Sequence, residues 1–152
     1  MSQRRDIVKT LIDNLMLIDG TASPFGGYVF KTSVHENVYR GFKPLEEIND
    51  FPSIYVVPGA ETRDYNSGVL GNIKINSLLP VMLRCYIYDE EDELVNEHIN
   101  NITQDIEHII YSLPTTNEIL DLTLTSINTD EGLLTPYGIV ELQVQVRYEV
   151  TL

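Results

Sequence analysis

The chain has one cysteine, no tryptophan, and 10 basic residues against 23 acidic ones in 152 positions. Each shortage excludes something. A single cysteine, Cys85, admits no intrachain disulfide, so a reducing compartment is the expectation. It stands in an apolar run between Arg84 and Tyr86, where a small core residue fits. The formal charge of −13 opposes affinity for nucleic acid, because phosphate binding depends on Lys and Arg displacing counterions. The same charge suits plain solubility, or a surface past which DNA slides without sticking. No apolar run approaches membrane-spanning length, and Arg4 and Arg5 lead into an amphipathic segment, so neither a membrane span nor a signal peptide is expected.

Catalytic signatures are equally scarce. The sequence holds no nucleophile elbow, phosphate loop, dinucleotide fingerprint or zinc-binding His-Glu helix. His98 and His108 lie ten residues apart on one expected helix, which puts them on different sides. His35, among Ser33, Glu36 and Asn37, reads as a solvated polar residue. The acidic run Asp89-Glu90-Glu91-Asp92-Glu93 lacks the glycine that a calcium loop needs, and carboxylates ahead of a helix complement its dipole without a metal. No catalytic residue, cofactor or metal site is therefore expected, and the chain is not read as an enzyme.

What is present is a pattern of core-forming elements. With 43% hydrophobic residues the chain can bury one core, as a single domain over residues 1–152. Val8, Leu11, Ile12, Leu15 and Ile18 predict a helix over residues 2–19, with Ser2 as N-cap and Gly20 as terminator. Residues 28–42 read as an extended strand or irregular arm. Residues 53–57, between Pro52 and Pro58-Gly59, read as a strand. A strand over 79–88 puts Val81, Leu83, Cys85 and Ile87 on one face and Met82, Arg84, Tyr86 and Tyr88 on the other. That second face is aromatic enough to need cover from within the molecule or from another subunit. The seam Val95, Ile99, Ile102, Ile106, Ile109 and Leu113 predicts a second helix. A strand over 119–127 is expected to bury Leu120, Leu122 and Leu124, and residues 140–150 alternate as a half-buried antiparallel strand. The fold expected is α+β: a mostly antiparallel sheet of about four to five strands, two α-helices packed on one face, and protruding loops.

Two segments stand out as contact candidates. Residues 59–77 have little core periodicity and read as a long loop or extended hairpin, a partner-touching arm carrying Glu61, Arg63, Asp64, Tyr65, Asn66 and Lys74. The turn over 128–137 carries Asp130 and Glu131, a rim or lumen candidate.

The stretch Phe51-Pro52-Ser53-Ile54-Tyr55-Val56-Val57-Pro58-Gly59-Ala60-Glu61, then a second helix, then Thr129-Asp130-Glu131-Gly132 leading into a long last strand, resembles the phage tail terminator family. The resemblance implies a structural virion protein without cofactors, located at the neck-proximal end of the tail and assembled in the host cytoplasm. Such subunits form a hexameric ring on the head-proximal end of the tail tube, stop its polymerisation and present the docking surface for the head. The implied partners are further copies of the chain, the tail tube protein, a head-tail connector or neck protein, and a sheath protein if the tail is contractile. DNA passes through such a ring without specific binding. Two other readings stay open: a neck or head-completion ring protein, and a soluble ligand-binding or regulatory α+β domain.

Overall fold

The computed structural model of the protein describes residues 3–64, 74–113, 119–130 and 133–151. Its elements are α1 (Gln3–Leu15), β1 (Val38–Arg40), β2 (Ser53–Pro58), β3 (Thr62–Asp64), β4 (Lys74–Tyr88), α2 (Asp92–Ser112), β5 (Ile119–Thr129) and β6 (Tyr137–Thr151). The strands form one sheet of six in the order β1-β2-β4-β6-β5, with β3 also against β4. β1 and β2 are parallel; every other pair is antiparallel. The α+β expectation holds, with more strands than the four to five expected.

The spine of the sheet is the β4–β6 pair, in register from Lys74↔Thr151 to Tyr88↔Tyr137. Strands of 15 residues run roughly 46 Å end to end. Strict alternation makes this possible. Leu79, Val81, Leu83, Cys85 and Ile87 on β4 meet Val140, Leu142, Val144, Val146 and Val150 on β6 in one buried layer. Val8, Leu11 and Leu15 of α1 and the isoleucine seam of α2 cover that layer, so both helices lie on the same face. Cys85 is fully buried, and burial pushes its thiol pKa up.

Two glycines mark where elements come too close for a side chain. At Gly138 an added Cβ would stand 2.9 Å from Val95 Cγ1 and 3.1 Å from Ile99 Cδ1, so α2 seats directly on the β6 backbone. At Gly59 it would stand 3.2 Å from Pro80, where the chain bulges between β2 and β3 while both stay on β4. The Arg4 guanidinium donates to the Gly59 carbonyl at 2.8 Å and ties α1 to that bulge.

The irregular stretch 19–34 crosses α2 and is held by one carboxylate. Asp105 is completely buried on the α2 seam. It accepts from the Thr32 amide at 2.8 Å, the Thr32 hydroxyl at 2.6 Å, the Lys31 amide at 3.0 Å and the Tyr28 hydroxyl at 2.6 Å. Burial first, and then this bond, raise the Tyr28 pKa. Tyr28 stacks on His108 at 4.1 Å, and His108 Nε2 shares a 2.7 Å hydrogen bond with Ser23 Oγ.

The opposite face of the sheet is covered over part of its extent. Residues 41–52, with a 3-10 turn at Leu45–Glu47, lie over Tyr55 and Tyr86 and build a second small core with Ile48. Tyr86 donates to the Lys43 carbonyl at 2.5 Å and accepts from Arg84 Nε at 2.6 Å. The aromatic face of β4 thus finds its cover inside the molecule, although Tyr88 remains 40% exposed.

Several boundaries differ from expectation. The first helix stops at Leu15, because the bonds Leu17 N→Asn14 O and Ile18 N→Leu15 O tighten the chain into a turn, and the Ile18 carbonyl then accepts from Val34 and His35. Ser2 lies outside the described residues. Residues 28–42 contain only the three-residue β1. Leu122 and Leu124 pack against the core as expected, but a bulge between Ile119 and Asp121 changes the start of the strand, where Ile119 is buried and Leu120 only half so. No helix among the described residues is long and apolar enough to cross a membrane.

Replacing Asp105 with Ala strands buried amide and hydroxyl donors, and the expected loss of stability is about 3 kcal/mol or more. Asp121→Ala, which breaks an exposed pair, is expected to cost less than about 1 kcal/mol. Urea titrations of the two variants check the contrast; equal midpoints would show that Asp105 holds nothing in place.

Candidate assembly interface

The β4–β6 ribbon has two unlike ends, and the residues picked out in the sequence divide between them. At the Lys74 end, β3 pairs with β4 through Thr62↔Leu78, Arg63↔Ser77 and Asp64↔Asn76. β3 and the first residues of β4 thus pair as two antiparallel strands at the edge of the sheet, while residues 65–73 between them lie outside the described residues. This strand pair is rigidified by the Gly59 bulge, by Ser77 Oγ donating to the Thr62 carbonyl at 3.4 Å, and by an Arg63 Nε–Glu61 Oε2 pair at 2.9 Å. Glu61 is mostly buried in this pair, while Arg63 and Asp64 are exposed. Tyr65 and Asn66 lie outside the described residues, as does the side chain of Lys74.

At the opposite end, β5 turns into β6 through residues 130–136. The Asp130 amide donates to the Ile139 carbonyl at 3.2 Å, and the Asp130 carbonyl accepts from Leu133 at 3.0 Å. With Arg84, Asn128, Thr129, Ile139 and Glu141, Asp130 lines a hollow of about 280 Å³ on the sheet face away from the helices. Glu131 lies outside the described residues. The turn presents Leu133 (86% exposed) and Leu134 (47%) to solvent. Beneath it, Phe51, Tyr88 and Tyr137 form a triad of tilted rings 5.2–5.8 Å apart.

The acidic run at 89–93 belongs to this same end, because the Asp89 amide donates to the Pro136 carbonyl at 3.0 Å. Asp130 and the acidic run, far apart in sequence, are thus assembled at one pole of the molecule. Asp89 accepts from the Glu91 amide at 2.9 Å and from His98 Nε2 at 2.6 Å. The amide, and secondarily His98, hold its carboxyl below the usual range. Asp92 and Glu93 occupy the first turn of α2, where they complement its dipole.

Among the described residues no arrangement of side chains at either end, or on the helices, forms a catalytic relay. Ser23 Oγ and His108 Nε2 stand at nucleophile–base distance, but the other nitrogen of His108 meets Ser112 Oγ at 3.4 Å rather than a carboxylate, and the ring is stacked against Tyr28. Ser23 Oγ also accepts from the Phe25 amide at 3.0 Å. The pair fixes the 19–34 segment to α2. His35, exposed at φ 41°, meets the Met16 carbonyl at 3.2 Å. Among the described residues no group of three or more His, Cys, Asp or Glu is placed to hold a metal ion.

Sequence reasoning passed over the leucine turn and the aromatic triad. Leu133-Leu134 between turn residues was the available signal, since apolar pairs in an acidic turn have no core to serve.

The chain matches a family model described as Bacteriophage Tail Tube Terminator Protein over residues 1–151. It is 30% identical over 163 aligned positions to the tail tube terminator protein p142 of Escherichia phage T5, an alignment covering 98% of this chain and 95% of that one. A looser likeness, with a TM-score of 0.48 at 11% identity over 76% of this chain and 81% of the other, is to a chain in the structure titled "Virion of native gene transfer agent (GTA) particle".

The lowered carboxyl of Asp89 has a pH signature. Its folded-state value lies below the unfolded one, so its contribution is complete above the ordinary carboxylate range and is lost as pH falls through the folded value. The stability difference between wild type and Asp89→Asn is therefore expected to shrink as pH falls below about pH 4. Urea midpoints across that range test it; a difference that stays flat to the acid limit would remove Asp89 from the account.

Proposed function

We propose, on the premise that this chain belongs to the bacteriophage tail tube terminator family, that copies of it close into a ring, six in number, on the head-proximal end of the tail tube. There the ring ends tube growth and offers the surface to which the head or neck docks. The family match along essentially the whole chain is the observation that carries this reading. The protein is a structural component of the phage tail, and we assign it no catalytic step.

Stopping a polymer sets a physical requirement. A subunit that stops growth has to bind the last tube layer with one surface and present a different one beyond it. The two unlike poles of the β4–β6 ribbon meet that requirement, with a polar strand pair at one and a turn with exposed leucines beside clustered carboxylates at the other. We assign the segment 59–77, with Glu61, Arg63, Asp64, Tyr65, Asn66 and Lys74, to the tube. We assign the Asp130-Glu131 turn to the head-facing rim. Closure of the ring uses two different flanks of each subunit, as cyclic symmetry requires.

Negative-stain electron microscopy of a lysate lacking the gene tests the role directly. Overlong, headless tubes are expected. Tubes of normal length without heads would move the protein to the neck, and intact infectious particles would remove it from tail assembly.

Arg63→Ala is expected to leave the far-ultraviolet circular dichroism unchanged and to cost about 1 kcal/mol of stability, because Arg63 is itself exposed but its loss takes a partner from the mostly buried Glu61. The same variant is expected to broaden tail lengths upward. Unfolding of the isolated variant would make Arg63 a structural residue and end its assignment to the tube contact.

A further inference from the structure

We infer that the half of the helix-free sheet face carried by β5 and β6 is the wall along which DNA passes. This inference rests on the terminator reading and assigns a surface that the reading leaves open. If the two poles of the β4–β6 ribbon meet tube and head, the strands run along the tail axis and the sheet stands parallel to the passage. One of its broad faces then looks inward. The helices cover one face, and the face bearing Glu141, Gln143, Gln145 and Arg147 carries none.

The chemistry of that face is what a passage for a polyanion needs. Cations that reach phosphate hold DNA, each adding to a salt-dependent affinity. Both arginines here are occupied by a carboxylate of the neighbouring strand. Arg147 Nη2 pairs with Asp121 Oδ2 at 2.6 Å, and Arg84 Nη1 pairs with Glu141 Oε1. These residues face each other in register, as Asp121↔Arg147 and Arg84↔Glu141, so the pairing is built into the sheet. Around them stand Gln143, Gln145, Thr123, Ser126 and Asn128, uncharged groups that water solvates well.

Stacking platforms are withheld too. Exposed aromatic rings grip bases, but Tyr55 and Tyr86 on this face are buried under residues 41–52, and the half-exposed Tyr88 lies with Tyr137 and Phe51 at the pole beside the leucine turn rather than along β5 and β6. Phe42, at the margin, lies beneath the Arg84 guanidinium at 5.4 Å. A subunit interface of the same area would carry aromatic and apolar residues at its centre. Along β2 and β4 the adjoining strip of Val57, Pro80 and Met82 is apolar, and the wall stops at that border.

The test uses tails purified from cells infected with phage carrying variant genes. Gln145→Cys gives a single reactive thiol, since Cys85 is fully buried. In assembled tails this thiol is expected to react with a small maleimide and to resist a bulky polymer-linked one, while the isolated chain reacts with both. Gln143→Lys with Gln145→Lys is expected to give tails of normal length bearing heads, with DNA release slowed at least about tenfold and the delay easing as salt rises. Asn96→Lys with Asn100→Lys adds the same charge to the exposed side of α2 and is expected to release DNA at the wild-type rate.

Labelling of Gln145→Cys by both reagents in assembled tails would put the face on the outside, and labelling by neither would bury it against protein; either overturns the proposal. So would wild-type release from the Gln143/Gln145 lysine variant, or loss of heads or of length control in it, which would make the face a protein contact. Failure of the terminator reading has its own signature, absence of the wild-type chain from purified tails, and the wall assignment falls with it.

Discussion

Asp105 is the constraint on which the helical layer depends. A buried carboxylate is costly unless its oxygens are filled by donors, and here two main-chain amides and two hydroxyls from the segment 28–32 fill them. That requirement fixes where an otherwise irregular chain crosses α2. Once it is fixed, Tyr28 lies on His108, Ser23 reaches His108, and Phe30 and Val34 drop into the main core. The segment takes its order from polar bonds, since it has too little regular structure to hold itself. A carboxylate with four donors also accepts only one arrangement of them, which gives the segment a unique register that apolar contacts alone would leave loose.

The sheet solves a different problem, length. A ribbon of roughly 46 Å is long for a domain of this size, and its pairing is continuous because β4 and β6 alternate without a break in register. Irregularity is confined to the flanking strands: the bulge between β2 and β3, and the two register shifts in β5. Gly138 and Gly59 sit where the spine meets its neighbours most closely, at α2 and at the bulge. Mechanical continuity runs down the centre while the edges bend, which keeps the two poles at a set separation.

The elements legible from sequence were those whose burial is periodic. The α2 seam and the β6 alternation read directly because each position's exposure repeats what the backbone geometry dictates. β3 did not read as a strand, since Thr62, Arg63 and Asp64 are all exposed and only pairing with β4 makes them one. The bulge at Leu120 put Ile119 rather than Leu120 into the core at the start of β5, a slip no composition announces, while Leu122 and Leu124 faced the core as expected. Asp105 was visible as a carboxylate set in a seam of isoleucines, yet its partners come from some 75 positions away, and distance in sequence hides such a clamp. The candidate contacts were legible as segments and not as a surface. Asp130 and the run at 89–93 become neighbours only through the Pro136 carbonyl.

Where the charge sits matters more than its sum. A chain with a formal charge of −13 repels its own copies, and bringing several into a ring multiplies that repulsion unless the charges are kept apart or screened. Carboxylates collect at the pole formed by Asp89, Asp92, Glu93 and Asp130, whereas on the β5–β6 face acid and base cancel in cross-strand pairs. The acidic pole concentrates only part of that charge, since Asp13, Glu36, Glu46, Glu47, Asp50 and Glu97 are exposed elsewhere on the subunit. The head-facing rim, on the proposed reading, would select a basic or well-screened partner, while the tube-facing segment, with Arg63 and Asp64 both exposed, imposes no such sign. On that reading the two poles differ in the chemistry they accept as well as in shape, which is the asymmetry that a subunit ending a polymer requires.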